Sequence, residues 1–287
     1  MDRIKVRHIS IVIIALKASL ICLAVWWYFP NIERFEFSLD ATFFWFVLAG
    51  FLAQLIDGAL GMAYGVTSNS ILLSFGLSPK LASAAVHTAE IFTTGVSGLS
   101  HMRIGNFDKF LFVKLLIPGV VGAVTGAFLL GSFVDGNLLK PYISFYLMIL
   151  GVIILVKSIK KKSDAKPSLK NASWFALFGG FLDAIGGGGW GPIVSSNLIR
   201  KGNTPNIIIG TVNTVEFFVT FFSAGVLIYF TGIQSWQIIL GLVVGGTLAA
   251  PLGARITKMI KPKSLMKVVG VLIILVSVFN LLKVFFD

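Results

Sequence analysis

Of the twelve acidic residues in this chain of 287, four lie inside long apolar runs: Asp57, Glu90, Asp183 and Glu216. An ionisable side chain at the centre of a bilayer costs about 2.5–3.5 kcal/mol on insertion scales, so such groups face a cavity or a partner and are candidates for moving ions or protons. The four form two pairs at one sequence offset of 126, Asp57 with Asp183 and Glu90 with Glu216. The competing reading is a protonated carboxyl that ties two helices together, or one that reaches water near an interface. For Asp57 and Asp183, at the ends of short segments, both readings stand.

Around Glu90 the residues Ser83, His87, Thr94, Ser97 and His101 recur at spacings of three and four, which places them with Glu90 on one stripe of a helix. The second copy keeps Asn213, Glu216, Thr220 and Ser223 of that stripe. Hydroxyls in such a seam often do no more than hydrogen-bond between helices. His87 differs, because its counterpart is Asn213 and only one half has an imidazole beside its carboxylate. Imidazole is the side chain that changes charge near physiological pH, so His87 is either a proton carrier with Glu90 or a packing histidine.

The third landmark is the run Asp183-Ala184-Ile185-Gly186-Gly187-Gly188-Gly189-Trp190-Gly191-Pro192, with a milder counterpart in Asp57-Gly58-Ala59-Leu60-Gly61-Met62-Ala63-Tyr64-Gly65. Consecutive glycines disfavour a continuous helix. The flanking pieces are shorter than the about 20 residues a full crossing needs. The expected local structure is a hairpin of short or broken helices whose backbone N–H groups point inward. Free N–H groups at a helix start bind anions, and irregular backbone at membrane depth is tolerated where it lines a cavity. Gly119, Gly122, Ala123 and Gly126, and Gly245, Gly246, Ala249 and Gly253, fit close helix packing better. Segments 57–97 and 183–199 contain no Arg or Lys except Lys80, so a bound anion would rest mainly on backbone dipoles and hydroxyls. Arg200, Lys201 and Arg255 are read as orienting or snorkelling residues.

These residues need helices of membrane length to hold them, and the composition supplies such helices. Hydrophobic residues make up 56%, charged residues 13%, and mean hydropathy is +0.91. A soluble chain needs roughly a quarter of its residues charged, so soluble enzymes and secreted disulfide scaffolds are excluded. The one cysteine, Cys22, cannot form an intrachain disulfide. The net charge of +12 is assigned to cytoplasmic loops rather than to nucleic-acid binding. Apolar runs are read at 9–29, 41–57, 61–77, 80–101, 109–131 and 138–157. After a lysine-rich link with Lys157, Lys160, Lys161, Lys162, Lys166 and Lys170 they resume at 172–185, 187–200, 205–231, 235–257 and 264–286.

The two series are copies. At the 126-residue offset, 13 of the 41 positions from 57 to 97 are identical, against about a tenth expected from shared apolar composition. Loop charge gives their relative orientation. The acidic segment 31–40 (Glu33, Glu36, Asp40) precedes the first copy, and the lysine-rich link precedes the second. The loop at 132–139 holds Asp135 alone, whereas its counterpart at 258–267 holds Lys258, Lys261, Lys263 and Lys267. The expected fold is an all-α polytopic membrane protein of two inverted-topology repeats with Gly-rich broken-helix hairpins, plus one extra N-terminal transmembrane helix. The divisions are 1–40 (first helix and outer loop), 41–158 (first repeat), 159–171 (basic cytoplasmic linker) and 172–287 (second repeat). The N-terminus is expected in the cytoplasm and the C-terminus outside.

The Gly-rich break, the short helix after it, the prolines that start the next helix (Pro79, Pro205) and the two-fold repetition resemble the sulfite exporter TauE/SafE family, also called TSUP. The resemblance covers about residues 42–286. The family's glycine motif usually appears in both halves, and here the first half has Leu60-Gly61-Met62-Ala63-Tyr64-Gly65 instead. The resemblance implies a secondary transporter of the cell membrane, not an enzyme, that moves sulfite, thiosulfate or an organosulfonate with protons as the coupling ion. On that reading Gly61, Tyr64, Gly65, Gly187, Gly188, Gly189, Trp190 and Gly191 hold the anion with Thr88, Asn213 and Thr214. Glu90, Glu216, His87, Asp57 and Asp183 exchange the proton. Partners are then the anion, protons and the lipid bilayer; no nucleic acid, cofactor or metal site is expected. A sodium-coupled carrier or cation channel using the four carboxylates, and a membrane scaffold or assembly factor, are the alternatives.

Overall fold

The structure is a computed structural model of the whole chain and describes residues 2–28, 41–132, 136–159, 168–233, 236–256 and 262–286. The acidic segment 31–40, Asp135, Lys160, Lys161, Lys162, Lys166, Lys258 and Lys261, on which the loop-charge argument drew, lie outside these residues. The described elements are helices: α1 (Asp2–Tyr28), α2 (Ala41–Leu60), α3 (Tyr64–Ser74), α4 (Pro79–Arg103), α5 (Lys109–Ser132), α6 (Gly136–Ile159), α7 (Ala172–Gly186), α8 (Ser196–Arg200, preceded by a π-turn at Gly191–Ser195), α9 (Pro205–Thr231), α10 (Trp236–Ile256) and α11 (Pro262–Phe286). Six of them, α2, α5, α6, α9, α10 and α11, are long and apolar enough to cross a membrane. At 25 residues α4 matches them in length, but its polar stripe interrupts the apolar run. The protein is an all-α polytopic membrane protein.

Local chemistry sets the boundaries. Ser78 caps α4 by accepting the Leu81 N–H at 3.4 Å, with Pro79 in the first turn; α9 also starts on a proline, Pro205 after Thr204, without a side-chain cap. Asp108 caps α5 by accepting the Leu111 N–H at 2.8 Å. The breaks fall where glycine permits a left-handed backbone. Gly187 ends α7 at φ +63°, and Gly61, its equivalent, sits at φ +64° after α2. Before the break the apolar run of the first copy is helical to Leu60, and after it α3 covers only 64–74 of the expected 61–77.

Shifted by 126 residues, the element order from α2 to α6 reproduces that from α7 to α11. Packing is reciprocal as well. Helix α2 lies along α10, and α7 lies along α5; α4 meets α10, and α9 meets α5; α4 and α9 pair with each other, as do α6 and α11. Each half therefore lends its first helix to the other's fourth. Glycines make those pairings close. A Cβ at Gly50 would stand 2.5 Å from the Leu242 carbonyl oxygen, and one at Gly58 would stand 3.0 Å from the Gly253 Cα. Gly122 meets the carbonyl of Leu177, and Gly245 that of Val47, with no room for a side chain.

Helices α4 and α9 form the centre, while α2, α5, α6, α10 and α11 turn residues such as Phe110, Tyr142, Leu248 and Leu275 outward, as lipid-facing surfaces do. Helix α1 lies outside the repeat and packs against α4, where the Lys17 ammonium donates to the Phe92 carbonyl oxygen at 3.2 Å.

Ala63 occupies φ +107°, where its equivalent in the second half is Gly189. A left-handed backbone costs a non-glycine residue about 1–2 kcal/mol. Ala63→Gly is therefore expected to raise the apparent Tm of the detergent-purified protein. Gly187→Ala should lower it more than Gly61→Ala does, because a Cβ at Gly187 runs into the Asn69 side chain whereas the nearest atoms at Gly61 stand 3.1 Å away. Thermal melts of the three variants read this order directly.

Candidate functional site

The two breaks meet. A Cβ on Gly65 would lie 2.8 Å from the Gly187 carbonyl oxygen and 3.1 Å from the Gly188 Cα, and Gly191 presses on Met62 and the Gly61 carbonyl. Residues 61–65 and 187–191 thus lie backbone to backbone between α4 and α9. Side chains from other elements reach two carbonyls at the second break. Asn69 donates to the Gly186 carbonyl at 2.6 Å, and the Tyr146 hydroxyl of α6 donates to the Gly188 carbonyl at 2.8 Å. Lys157, read from the sequence as part of the polar link, belongs to α6 and reaches back to the Pro192 carbonyl at 3.1 Å and the Ser196 hydroxyl at 2.5 Å.

Each aspartate caps the short helix that follows it. Asp183 Oδ1 accepts the Trp190 N–H at 3.0 Å, and Asp57 accepts the N–H of Tyr64, the residue equivalent to Trp190. The first donor of each short helix is therefore engaged by a carboxylate of its own half. Pro192 has no N–H to offer, so the second break has fewer free donors than the sequence reading assumed.

All four carboxylates lie within electrostatic range of one another, and none is more than 4% exposed. Helix α4 brings His87 and Glu90 to Asp183 of α7. His87 Nε2 stands 3.2 Å from Asp183 Oδ2, and ligand atoms of His87, Glu90 and Asp183 all fall within 4.8 Å of one another. The other imidazole nitrogen, Nδ1, is 2.8 Å from the Ser83 carbonyl oxygen, while the Ser83 hydroxyl donates to the Ala184 carbonyl at 2.8 Å. Asp57 Oδ2, Glu90 Oε2, Asp183 Oδ2 and Glu216 Oε2 are buried without a hydrogen-bond partner, as are the hydroxyls of Ser68, Thr93, Ser97 and Ser195. Gly65 lets Glu90 approach the break closely, since a Cβ there would be 3.2 Å from Glu90 Oε1.

The sequence-predicted residues divide into two groups. Gly61, Gly65, Gly187, Gly188, Gly189 and Gly191 are buried at the break contact, and His87, Glu90, Asp57, Asp183 and Glu216 converge beside it. Thr88 does not join them by any hydrogen bond beyond its own helix; it is half-buried and donates back to the Ala84 carbonyl at 2.6 Å. Thr214 likewise donates to the Gly210 carbonyl at 2.7 Å and packs on Gly98. Asn213 Nδ2 donates to the Ile209 carbonyl at 3.1 Å, leaving its Oδ1 unpartnered. Trp190 and Tyr64 are fully buried anchors. The Trp190 indole N–H donates to the Val212 carbonyl at 3.3 Å, its ring lies against Gly119, and the Tyr64 hydroxyl points to the Leu242 carbonyl at 3.5 Å. Asn69, Tyr146, Lys157 and Gln54 were not among the predicted residues. Gln54, fully buried with neither amide atom partnered, was signalled by its place inside the apolar run of α2. A cavity of about 400 Å³ lies elsewhere, between the starts of α2 and α10, lined by Phe43, Phe46, Phe75 and Trp236 among others, and none of the site residues borders it.

Residues 46–280 match the family described as Sulfite exporter TauE/SafE. The chain belongs to that family of membrane transporters. It is 42% identical over 241 residues to the "Probable membrane transporter protein YtnM" of Bacillus subtilis (strain 168), an alignment that covers 81% of this chain and 80% of the relative. No solved structure matches the chain. The matched segment of this TauE/SafE protein contains both breaks and all four carboxylates and leaves out α1.

The cap assignment predicts a split between two substitutions at one position. Asp183→Asn keeps an acceptor for the Trp190 N–H, whereas Asp183→Ala strands a buried donor at a cost of about 1–3 kcal/mol. In detergent melts Asp183→Ala is expected to lose clearly more apparent Tm than Asp183→Asn; equal losses would remove the capping role.

Proposed function

We propose that the chain is a secondary transporter that carries a small sulfur-containing oxyanion, such as sulfite, thiosulfate or an organosulfonate, across the cell membrane with protons as the coupling ion. The observation that carries this reading is the convergence of His87, Glu90, Asp183, Asp57 and Glu216 beside the two backbone breaks. An oxyanion near ionised carboxylates is repelled, and a proton on one of them removes that repulsion, so anion and proton occupancy are linked through charge. Helix α4 contributes His87 where α9 contributes Asn213, which makes the first half the carrier of the imidazole proton. The halves 41–158 and 172–287 rock against each other along α4 and α9, and the reciprocal packing of α2 on α10 and α7 on α5 moves each hairpin with the opposite half. The family assignment supports the substrate class.

The topology that follows from inverted repeats puts the N-terminus in the cytoplasm and the C-terminus outside. Reporter fusions in the linker 159–171 and at the C-terminus should give opposite signals, and identical signals would refute inversion.

Proteoliposomes loaded in parallel with labelled sulfite, thiosulfate and sulfoacetate under an imposed pH gradient test the coupling. Accumulation above equilibrium is expected for at least one of the three, with Glu90→Gln and Glu216→Gln each abolishing it. Wild-type accumulation by both variants would disprove the coupling role. The sodium-coupled reading draws on the unpartnered oxygens of the same carboxylates, and accumulation driven by a sodium gradient in the absence of a pH gradient would select it.

A further inference from the structure

His87 is fixed in one tautomer by its surroundings. A backbone carbonyl cannot donate, so at 2.8 Å from the Ser83 oxygen Nδ1 must carry the hydrogen. The Ser83 hydroxyl gives its own hydrogen to the Ala184 carbonyl and so cannot reverse that assignment. In neutral imidazole the lone pair is then on Nε2, which lies 3.2 Å from Asp183 Oδ2, within ion-pair distance yet without a hydrogen bond between them. Asp183 is oriented in its turn, because Oδ1 holds the Trp190 N–H and leaves Oδ2 directed at the imidazole. Two electron-pair donors face one another across a gap closed to water, beside a third donor, Glu90, whose Oε2 is also unpartnered.

We propose that this gap is a binding site for one divalent transition-metal ion, with His87 Nε2, Asp183 Oδ2 and a carboxylate oxygen of Glu90 as its ligands. An ion about 2.0–2.2 Å from nitrogen and oxygen ligands, at a tetrahedral angle, spans roughly 3.3–3.6 Å between them, and the 3.2 Å between Nε2 and Oδ2 lies just below the short end of that range. Glu90 closes the set by a change of rotamer, its ligand oxygen already lying within 4.8 Å of the other two ligand atoms. The Nδ1–H donation to a backbone carbonyl is the outer-shell arrangement that orients metal-bound histidines. Three protein ligands leave a further coordination position open. The ion also supplies positive charge where segments 57–97 and 183–199 have no Arg and only Lys80, which is turned away to the Gly131 carbonyl. The second half has no counterpart of this site, since Asn213 stands in the place of His87.

Because metal ligands must be deprotonated, the ion and the coupling proton compete for these three side chains, so the site is tested without transport. Detergent-purified full-length protein, stripped with a chelator, is titrated with Co²⁺ followed by visible absorption, and then with Zn²⁺ in competition. One equivalent is expected to bind. His87→Asn, which installs the residue the second half already has there, and Asp183→Asn should each weaken binding by more than the roughly 10–100-fold that loss of an outer-shell partner costs. His8→Ala, a change at an exposed histidine near the start of α1, should leave binding intact. X-ray absorption of the wild-type zinc-loaded protein gives a reading that needs no variant: one imidazole in the coordination shell is expected. Absence of a bound equivalent, binding unchanged in both site variants, or a shell with zero or several imidazoles overturns the site.

Discussion

Backbone in a bilayer has no water to fall back on, so a chain that interrupts its helices there must satisfy every freed peptide group from within. The rest of this structure depends on how that demand is met. Residues 61–65 and 187–191 are laid against each other, and the groups they free are engaged by Asp57, Asp183, Asn69 and Tyr146. Glycine is required at the contact because the two strands of backbone come closer than any Cβ allows. Once the breaks are joined, the helices leading into them cannot separate independently, which explains why α2 and α7 are each held by a helix of the opposite half.

The same contact determines where charge can sit. Capping the short helices with aspartates brings two carboxylates to the centre, and α4 and α9 add Glu90 and Glu216 from either side. A cluster of this kind is unfavourable by itself in a low-dielectric interior, since like charges are poorly screened there. It becomes favourable when a cation is present among the oxygens, and the region contains almost no Lys or Arg to serve as one. Under the proposed function, that imbalance is what links the site to a positive species. At the helix starts themselves, the Tyr64 and Trp190 N–H groups are held by these aspartates and Pro192 has none to offer.

The positions read from the sequence as ligand contacts fared unequally for physical reasons. Thr88 and Thr214 have the periodicity of the polar stripe, but a threonine hydroxyl in a helix readily bonds to the carbonyl four residues back, and both do so. Trp190 and Tyr64 stand next to the glycines in sequence, yet a large ring is most stable where its whole surface is buried and its polar atom finds a carbonyl, and that is where both lie. Lys157 appeared to belong with the lysines of the link because only its linear neighbours were visible. Its long stem lets it turn back along α6 to the π-turn.

The sequence by itself determined the class of protein, most of the helical segments to within a few residues, the 126-residue self-similarity and which four carboxylates lie inside apolar runs. Those features are encoded in hydropathy, glycine content and self-similarity, all of which are local or strictly periodic along the chain. Tertiary structure alone decided that the two breaks touch, that each aspartate caps its own short helix, and that His87 and Glu90 share a site with Asp183. His87 and Asp183 are 96 positions apart on helices of different halves. No spacing rule links residues brought together by reciprocal packing, because their distance is fixed by how the helices cross and not by how far along the chain they lie.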